Sequence, residues 1–270
     1  MSCVDLHIHS SASDGTIDPR EIVTMAQAQG LETIALTDHD TVAGLAAARE
    51  QAAVSGIRVI PGLEISADED GVQAHILGYG IDPEDPALVA SLERFAQARL
   101  ERVRSILERL DALGIALPAE QLCGPAAGCA VGRPHVARLL LQEGHVSSLS
   151  EAFERFLSHR QAAYVPRPKV SMRDAIAMIH AAGGLAVLAH PWSITWLIEP
   201  LVEQGLDGLE VFYRDYDACQ QGRLARLAQE HGLVATGGSD YHGPEGIKST
   251  LGSVHVPREC VAALDARLAR

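Results

Sequence analysis

Eight short apolar runs alternate with helical patterns along this chain, and that rhythm leaves few folds open. The runs are CVDLHIH (3–9), TIALTDH (33–39), VIPGLEIS (59–66), AHILGYG (74–80), LAVLAHP (185–191), GLEVFY (208–213), VATGGSD (234–240) and TLGSVHV (250–256). They are rich in Val, Ile and Leu and lack polar alternation, as expected of parallel strands covered on both faces. Between them lie helices such as PREIVTMAQAQG (19–30), with Pro19 near its start and Gly30 at its stop. Regular βα alternation predicts an α/β fold in which a parallel sheet closes, or nearly closes, into a barrel. A chain of 270 residues suits one such domain with a sizeable insertion.

The insertion is visible where the rhythm stops. From about 82 to 168 no strand of this kind occurs. A long amphipathic helix is expected over 88–114, with an apolar stripe through Leu92, Ala96, Leu100, Val103, Leu107 and Leu110. Shorter helices follow near 134–143 and 149–158, and the flanks PEDP (83–86) and VPRP (165–168) read as boundaries. The expected organisation is a barrel from 1–81 and 169–270 with a helical cap, 82–168, over its mouth.

Composition narrows the class. The formal net charge of −13 opposes a polyanion, but the insertion is near neutral, with ten Arg against eleven Asp or Glu. No apolar run approaches the roughly 20 residues that span a bilayer. The segment MSCVDLHIHS has neither a basic nor an apolar leader region. The five cysteines (Cys3, Cys123, Cys129, Cys219, Cys260) contain no CxxC pair, which fits reduced thiols in the cytoplasm. No membrane and no obligate protein partner are expected.

Nine side chains of metal-ligand type fall at the carboxyl ends of expected strands or just after them: His7, His9, Asp14, His39, Glu64, His75, His190, Asp240 and His242. In a parallel barrel those ends converge on one face, where active sites sit. Imidazoles and carboxylates suit Zn, Mn and Fe alike. His145, His180, His231 and His255 fall on helices or edges and are expected to be structural or exposed.

The ordered series DLHIHS, SDGT, LTDHD, PGLEIS, His75, AHP and GSDYHG resembles the motif series of the PHP family, named for bacterial DNA polymerase and histidinol phosphatase. It covers roughly residues 3–80 and 185–256. The resemblance implies a distorted (β/α)7-type PHP barrel with two or three divalent ions, manganese first and iron or zinc as alternatives. It further implies a partition of ligands. His7, His9, Glu64 and Asp240 would hold one ion, Glu64 with His75 and His190 a second, and Asp14, His39 and His242 a third. Three carboxylates against two or three dications leave about +1 to +3, a charge suited to phosphate rather than a neutral amide. A hydroxide bridging two ions would be the nucleophile. His242 or His39 would serve as acid if only two ions bind, and as ligands if three do. His7, His9, Glu64, Asp240 and His242 are thus the catalytic candidates.

Within the family the chain is similar to small stand-alone phosphoesterases acting on nucleoside 3′,5′-bisphosphates, some of whose relatives trim RNA from the 5′ end. The expected substrate is therefore a small nucleotide losing its 3′-phosphate, with short RNA as a further one. The rivals are histidinol phosphate or another small phosphomonoester and, in a different class, a non-catalytic PHP binding module. The insertion should choose among substrates. VGRPHVARLLLQEG (131–144) starts a helix where Arg133 and His135 could hold a second phosphate. Phe95, Arg99 and Arg102 share a helix face that could meet a base and a phosphate, and His39 could also touch substrate. Arg160, Arg167 and Lys169 are further possible phosphate contacts. Trp192 and Tyr241 either line the pocket or pack the core.

Overall fold

A computed structural model describes residues 3–69, 71–122, 130–166, 170–244 and 250–270. Seven of the eight apolar runs form strands: β1 (Val4–Asp5), β2 (Thr33–Leu36), β3 (Arg58–Glu69), β4 (Val72–Tyr79), β5 (Leu185–Leu188), β6 (Gly208–Tyr213) and β7 (Val234–Gly238). They pair in sequence order in one sheet. Its two edges meet, since the Leu6 N–H donates to the Gly237 carbonyl (3.1 Å) and Ile8 bridges Tyr241 in parallel. The result is the expected nearly closed seven-stranded barrel.

The α-helices among the described residues are α1 (Pro19–Ala28), α2 (Leu45–Ser55), α3 (Pro86–Ala112), α4 (Arg133–Gln142), α5 (Leu149–Ala152), α6 (Met172–Ala181), α7 (Ile198–Glu203) and α8 (Ala218–Glu230) between strands, and α9 (Arg258–Leu268) after β7. Local chemistry sets their ends. Asp18 caps α1 by accepting from the Arg20 N–H, and Pro19 opens the helix. Asp217 and Gln220 form a reciprocal capping box on α8.

Two expectations need correction. The run 74–80 is a strand, but β4 lies antiparallel to both β3 and β5. Only two residues separate β3 from β4, too few for the crossover that parallel pairing requires. The run 250–256 is not a strand. Its backbone turns at Gly252 (φ +69°), whose N–H donates to Asp5 Oδ2 (2.8 Å). Leu251, Val254 and Val256 are nevertheless buried, so apolarity there marked core packing rather than pairing.

The chain divides into two compact units, Met1–Ala90 with Lys169–Arg270, and Ser91–Pro168; the division falls inside α3. In the first, Val4, Leu6, Leu77, Tyr79, Val187, Val254 and Leu264 share one core. Tyr79 is fully buried and its hydroxyl donates to the Leu6 carbonyl (2.8 Å), so its polar end is satisfied. In the second, Val103, Ile106 and Leu110 of α3 pack with Val136, Leu139 and Leu140 of α4 and with Phe156 and Leu157. Ile106, outside the expected stripe, is among its most buried members.

Candidate metal centre

Glu64 is the hub of the barrel site. It lies on β3, and His39, just beyond β2, bridges to it in parallel register. Its Oε2 is 3.0 Å from His39 Nδ1, 3.2 Å from His9 Nε2 and 3.5 Å from His7 Nε2. Its Oε1 is 3.0 Å from His75 Nδ1 and 3.5 Å from His190 Nε2. Asp240 Oδ1, beyond β7, is 3.2 Å from His9 Nε2 and 3.5 Å from His7 Nε2. Asp14 Oδ1 is 3.2 Å from His242 Nε2, and its Oδ2 is 3.9 Å from His39 Nε2. All nine sequence candidates therefore meet in one place. His75 arrives by a different route from the one expected. It sits in the amino-terminal half of β4, opposite Ser66, and the reversed strand brings that half to the face where its neighbours end.

Donor atoms of three subsets approach within 4.8 Å of one another: His9, Asp14, His39 and His242; His7, His9 and Asp240; His39, Glu64 and His75. The fit to cations does not rest on proximity alone. His9 Nδ1, His39 Nδ1 and Glu64 Oε1 are buried with polar neighbours close by, yet none makes a well-aligned hydrogen bond. Buried polar atoms are almost always bonded. Atoms aimed at a shared point rather than at each other are what a coordinated ion satisfies.

The electrostatics agree. Burial works against the ionised form of Glu64, but His39, His75 and His7 together hold its carboxyl well below the usual range. Asp14 and Asp240 are likewise lowered against burial, by His39 and His242 and by His7 and His242 respectively. Burial opposes charge on His7, yet Glu210, Glu64 and Asp240 raise its pKa well above normal. His9 rises against burial to about 10 through Asp240 and Glu64. Burial pushes His39 down to about 3 despite Glu64 and Asp14. The surrounding imidazoles thus favour the ionised form of all three carboxylates, the form that can coordinate a cation.

Backbone strain marks the same place. His190 (φ 32°), Asp240 (φ 51°) and Asp40 (φ 50°) are left-handed without being glycine, a conformation that costs about 1–3 kcal/mol and clusters at functional sites. Asp40 Oδ1 accepts from the Ser66 N–H (2.9 Å), tying that turn to β3. His242 Nδ1 lies 2.9 Å from the Asp240 carbonyl, which only accepts, so Nδ1 carries the proton and Nε2 faces Asp14.

Several supporting residues escaped the sequence reading. Glu210 on β6 is fully buried, with Oε1 2.8 Å from His7 Nδ1. Asp38 accepts from the Ser10 N–H and from the Ser10 and Ser13 hydroxyls, fixing the loop that carries Asp14. Tyr213 donates to Asp240 Oδ2 (2.9 Å), and Arg214 Nη2 lies 3.3 Å from the same oxygen. The available signal was an acidic residue inside an apolar run, GLEVFY or TIALTDH. A buried charge there must have a partner.

In the second unit the substrate candidates stand as follows. Arg133 opens α4, donates from Nη1 to the Leu157 carbonyl (3.2 Å), and lies 5.7 and 5.8 Å over the Phe153 and Tyr164 rings. Burial lowers its pKa, Tyr164 works the other way, and Arg99 lowers it further, so Arg99 and Arg133 are near neighbours. His135 Nδ1 accepts from the Gly132 N–H (3.1 Å), which leaves Nε2 as the donor. Backbone contributes little at this helix start, since Pro134 has no N–H and that of His135 bonds the Gly132 carbonyl (3.1 Å). Arg102 is buried and donates from Nε to the Val165 carbonyl (2.8 Å), so it does not share a solvated face with half-buried Phe95 and Arg99. Arg160 is exposed, with φ 72°. Arg167, Lys169, Cys123 and Cys129 lie outside the described residues. In the first unit, Tyr241 is buried at the barrel seam, and half-buried Trp192 packs under Arg223. Of the remaining histidines, His180 pairs with Asp207 (2.7 Å), His255 is exposed, and His145 and His231 are half-buried. Among the described residues no helix is long and apolar enough to cross a membrane.

A family profile described as the PHP domain matches residues 5–165. The chain is 37% identical to a 3′,5′-nucleoside bisphosphate phosphatase of Chromobacterium violaceum, over 96% of this chain and 94% of that one. It is 38% identical to the 5′-3′ exoribonuclease Rnm of Escherichia coli, over 89% and 85%. Among solved structures, a putative metal-dependent phosphoesterase from Bifidobacterium adolescentis superposes with a TM-score of 0.90 at 32% identity, covering 98% of this chain and 96% of that one.

Proposed function

The chain belongs to the PHP domain family of metal-dependent phosphoesterases, and from that premise we propose that it removes the 3′-phosphate from nucleoside 3′,5′-bisphosphates, with short RNA taken from the 5′ end as a further substrate. One observation carries the chemistry: nine imidazole and carboxylate side chains converge around Glu64, and the three carboxylates among them are buried. His7, His9, Glu64 and Asp240 would hold one ion, Glu64 with His75 and His190 a second, and Asp14, His39 and His242 a third. Manganese is the first choice. Such ions supply Lewis acidity toward phosphate oxygens and lower the pKa of water.

The protein's own part is arrangement. Glu64 offers one carboxylate to two clusters, so their spacing is fixed by a single rigid side chain on β3. With two ions, His242 would act as acid toward the leaving alkoxide only when Nε2 carries a second proton beside the one on Nδ1; with three, Nε2, 3.2 Å from Asp14 Oδ1, would be a ligand. Arg133, Arg99 and His135 Nε2 receive the phosphate that is not cleaved. Arg102, committed to Val165, acts on substrate only through the placement of its neighbours.

The test is phosphate release by the manganese-supplemented protein from nucleoside 3′,5′-bisphosphates, mononucleotides, sugar phosphates and histidinol phosphate. The expected outcome is preference for the bisphosphate, with the nucleoside 5′-monophosphate as product. Preference for histidinol phosphate would transfer the chemistry to the rival substrate. Absence of both metal uptake and hydrolysis would leave a binding module.

A further inference from the structure

We propose that Glu210 is a positioning residue of the metal centre: one oxygen sets the orientation and tautomer of His7, and the other holds the backbone of His190. The inference rests on His7 and His190 being metal ligands. Its starting point is β6. Every other strand carries or leads into one of the nine converging side chains, whereas β6 carries none. Instead it carries Glu210 and Tyr213 and leads into Arg214, all three of which contact a donor residue from another strand or the turn after it.

Glu210 is fully buried, where an ionised carboxylate needs strong partners. It has two. Oε1 is 2.8 Å from His7 Nδ1. Oε2 accepts from the His190 N–H at 2.7 Å. A carboxylate only accepts, so His7 Nδ1 carries a hydrogen, and Nε2 is the nitrogen that points at the cluster of His9, Glu64 and Asp240 and would offer its lone pair to an ion there. The second contact falls on a residue held at φ 32°, a conformation that its surroundings must impose. The ladder between β6 and β7 is irregular between Glu210 and Phe212. Such bulges beside active sites re-aim side chains. One carboxylate thus ties together ligands arriving from β1 and from the turn after β5.

Glutamine has nearly the same shape but one oxygen and one NH2. It can accept from His7 or from His190, and its NH2 must then face the other N–H. Glu210→Gln should therefore weaken metal binding without emptying the core. The probe is Mn(II) alone, titrated into metal-free full-length protein, with Val211→Ala as the structural control because Val211 is buried on the same strand. Loss of such a partner typically costs ~10–100-fold in metal affinity, and that is the drop expected for Glu210→Gln. Val211→Ala should lower Tm and keep wild-type affinity. Wild-type Mn(II) affinity in Glu210→Gln, or an equal loss in Val211→Ala, overturns the proposal. If Glu210→Gln does not fold, the zinc-loaded wild type decides by ¹⁵N–¹H correlation of the His7 ring. A protected Nδ1–H supports the assignment, and a proton on Nε2 refutes it. Wild type that binds no Mn(II) removes the metal reading and this inference with it, whereas equal binding by wild type and Glu210→Gln removes this inference alone.

Discussion

Gly238→Ala places a single methyl group where the barrel closes, and its effect can be worked from the coordinates. A Cβ at Gly238 would lie 2.4 Å from His7 N, 2.5 Å from His7 Cβ and 2.8 Å from His7 Cα. Ordinary contact begins near 3.4 Å, so β1 and β7 must separate by about 1 Å. Backbone obstructs here rather than a side-chain tip, so no rotamer change relieves it. Overpacking of this kind costs ~1–3 kcal/mol. At about 2–4 °C per kcal/mol for a chain this size, Tm should fall by roughly 2–12 °C. The displaced residue is His7, and a ~1 Å misplacement of reacting groups costs on the order of 10²-fold in rate. Gly222→Ala is the matched control. It lies inside α8 with nothing within 4 Å of the added carbon, and should stabilise by ~0.5–1 kcal/mol. The assays are thermal unfolding, bound manganese, and turnover on a nucleoside 3′,5′-bisphosphate. Wild-type Tm, metal content and rate in Gly238→Ala would refute the account of the seam.

Three further outcomes follow from the same geometry. Glu64→Gln keeps volume and removes the shared charge, so it should lower metal content and abolish phosphate release with unchanged circular dichroism; a turnover number equal to wild type would sink the hub assignment. Chelated protein should lose stability as pH rises from about 6.5 toward about 10, because the raised pKa of His9 makes its contribution complete below the unfolded value and absent above the folded one. Added manganese should flatten that slope, and a flat Tm in the chelated protein would contradict it. Arg133→Ala should lose selectivity for bisphosphate over monophosphate mainly through KM, by roughly ten- to hundred-fold for a charge-assisted contact worth ~1.5–3 kcal/mol; equal losses in kcat/KM on both substrates would place Arg133 in the fold alone, where its contacts with Leu157, Phe153 and Tyr164 already engage it.

What the sequence determined by itself is what periodicity and residue type encode locally. Buried apolar runs specified seven strands, Asp18 and Pro19 specified a helix start, and nine donor-type residues at or near strand ends pointed to a candidate metal centre. Strand direction was not local. Whether 74–80 runs with or against its neighbours depends on the length of the connection and on pairing partners, and only the tertiary structure places the amino-terminal half of β4, with His75, at the site. The run 250–256 shows the same limit from the other side, since Leu251, Val254 and Val256 are apolar because they fill the core, whatever their backbone pairs with. The second sphere was the least legible part. Glu210, Asp38, Tyr213 and Arg214 matter through partners up to 203 positions away in the chain, as Glu210 does through His7. A buried charge announces that it needs a partner, but which partner is fixed only when the barrel closes and brings β6 beside β5 and β7.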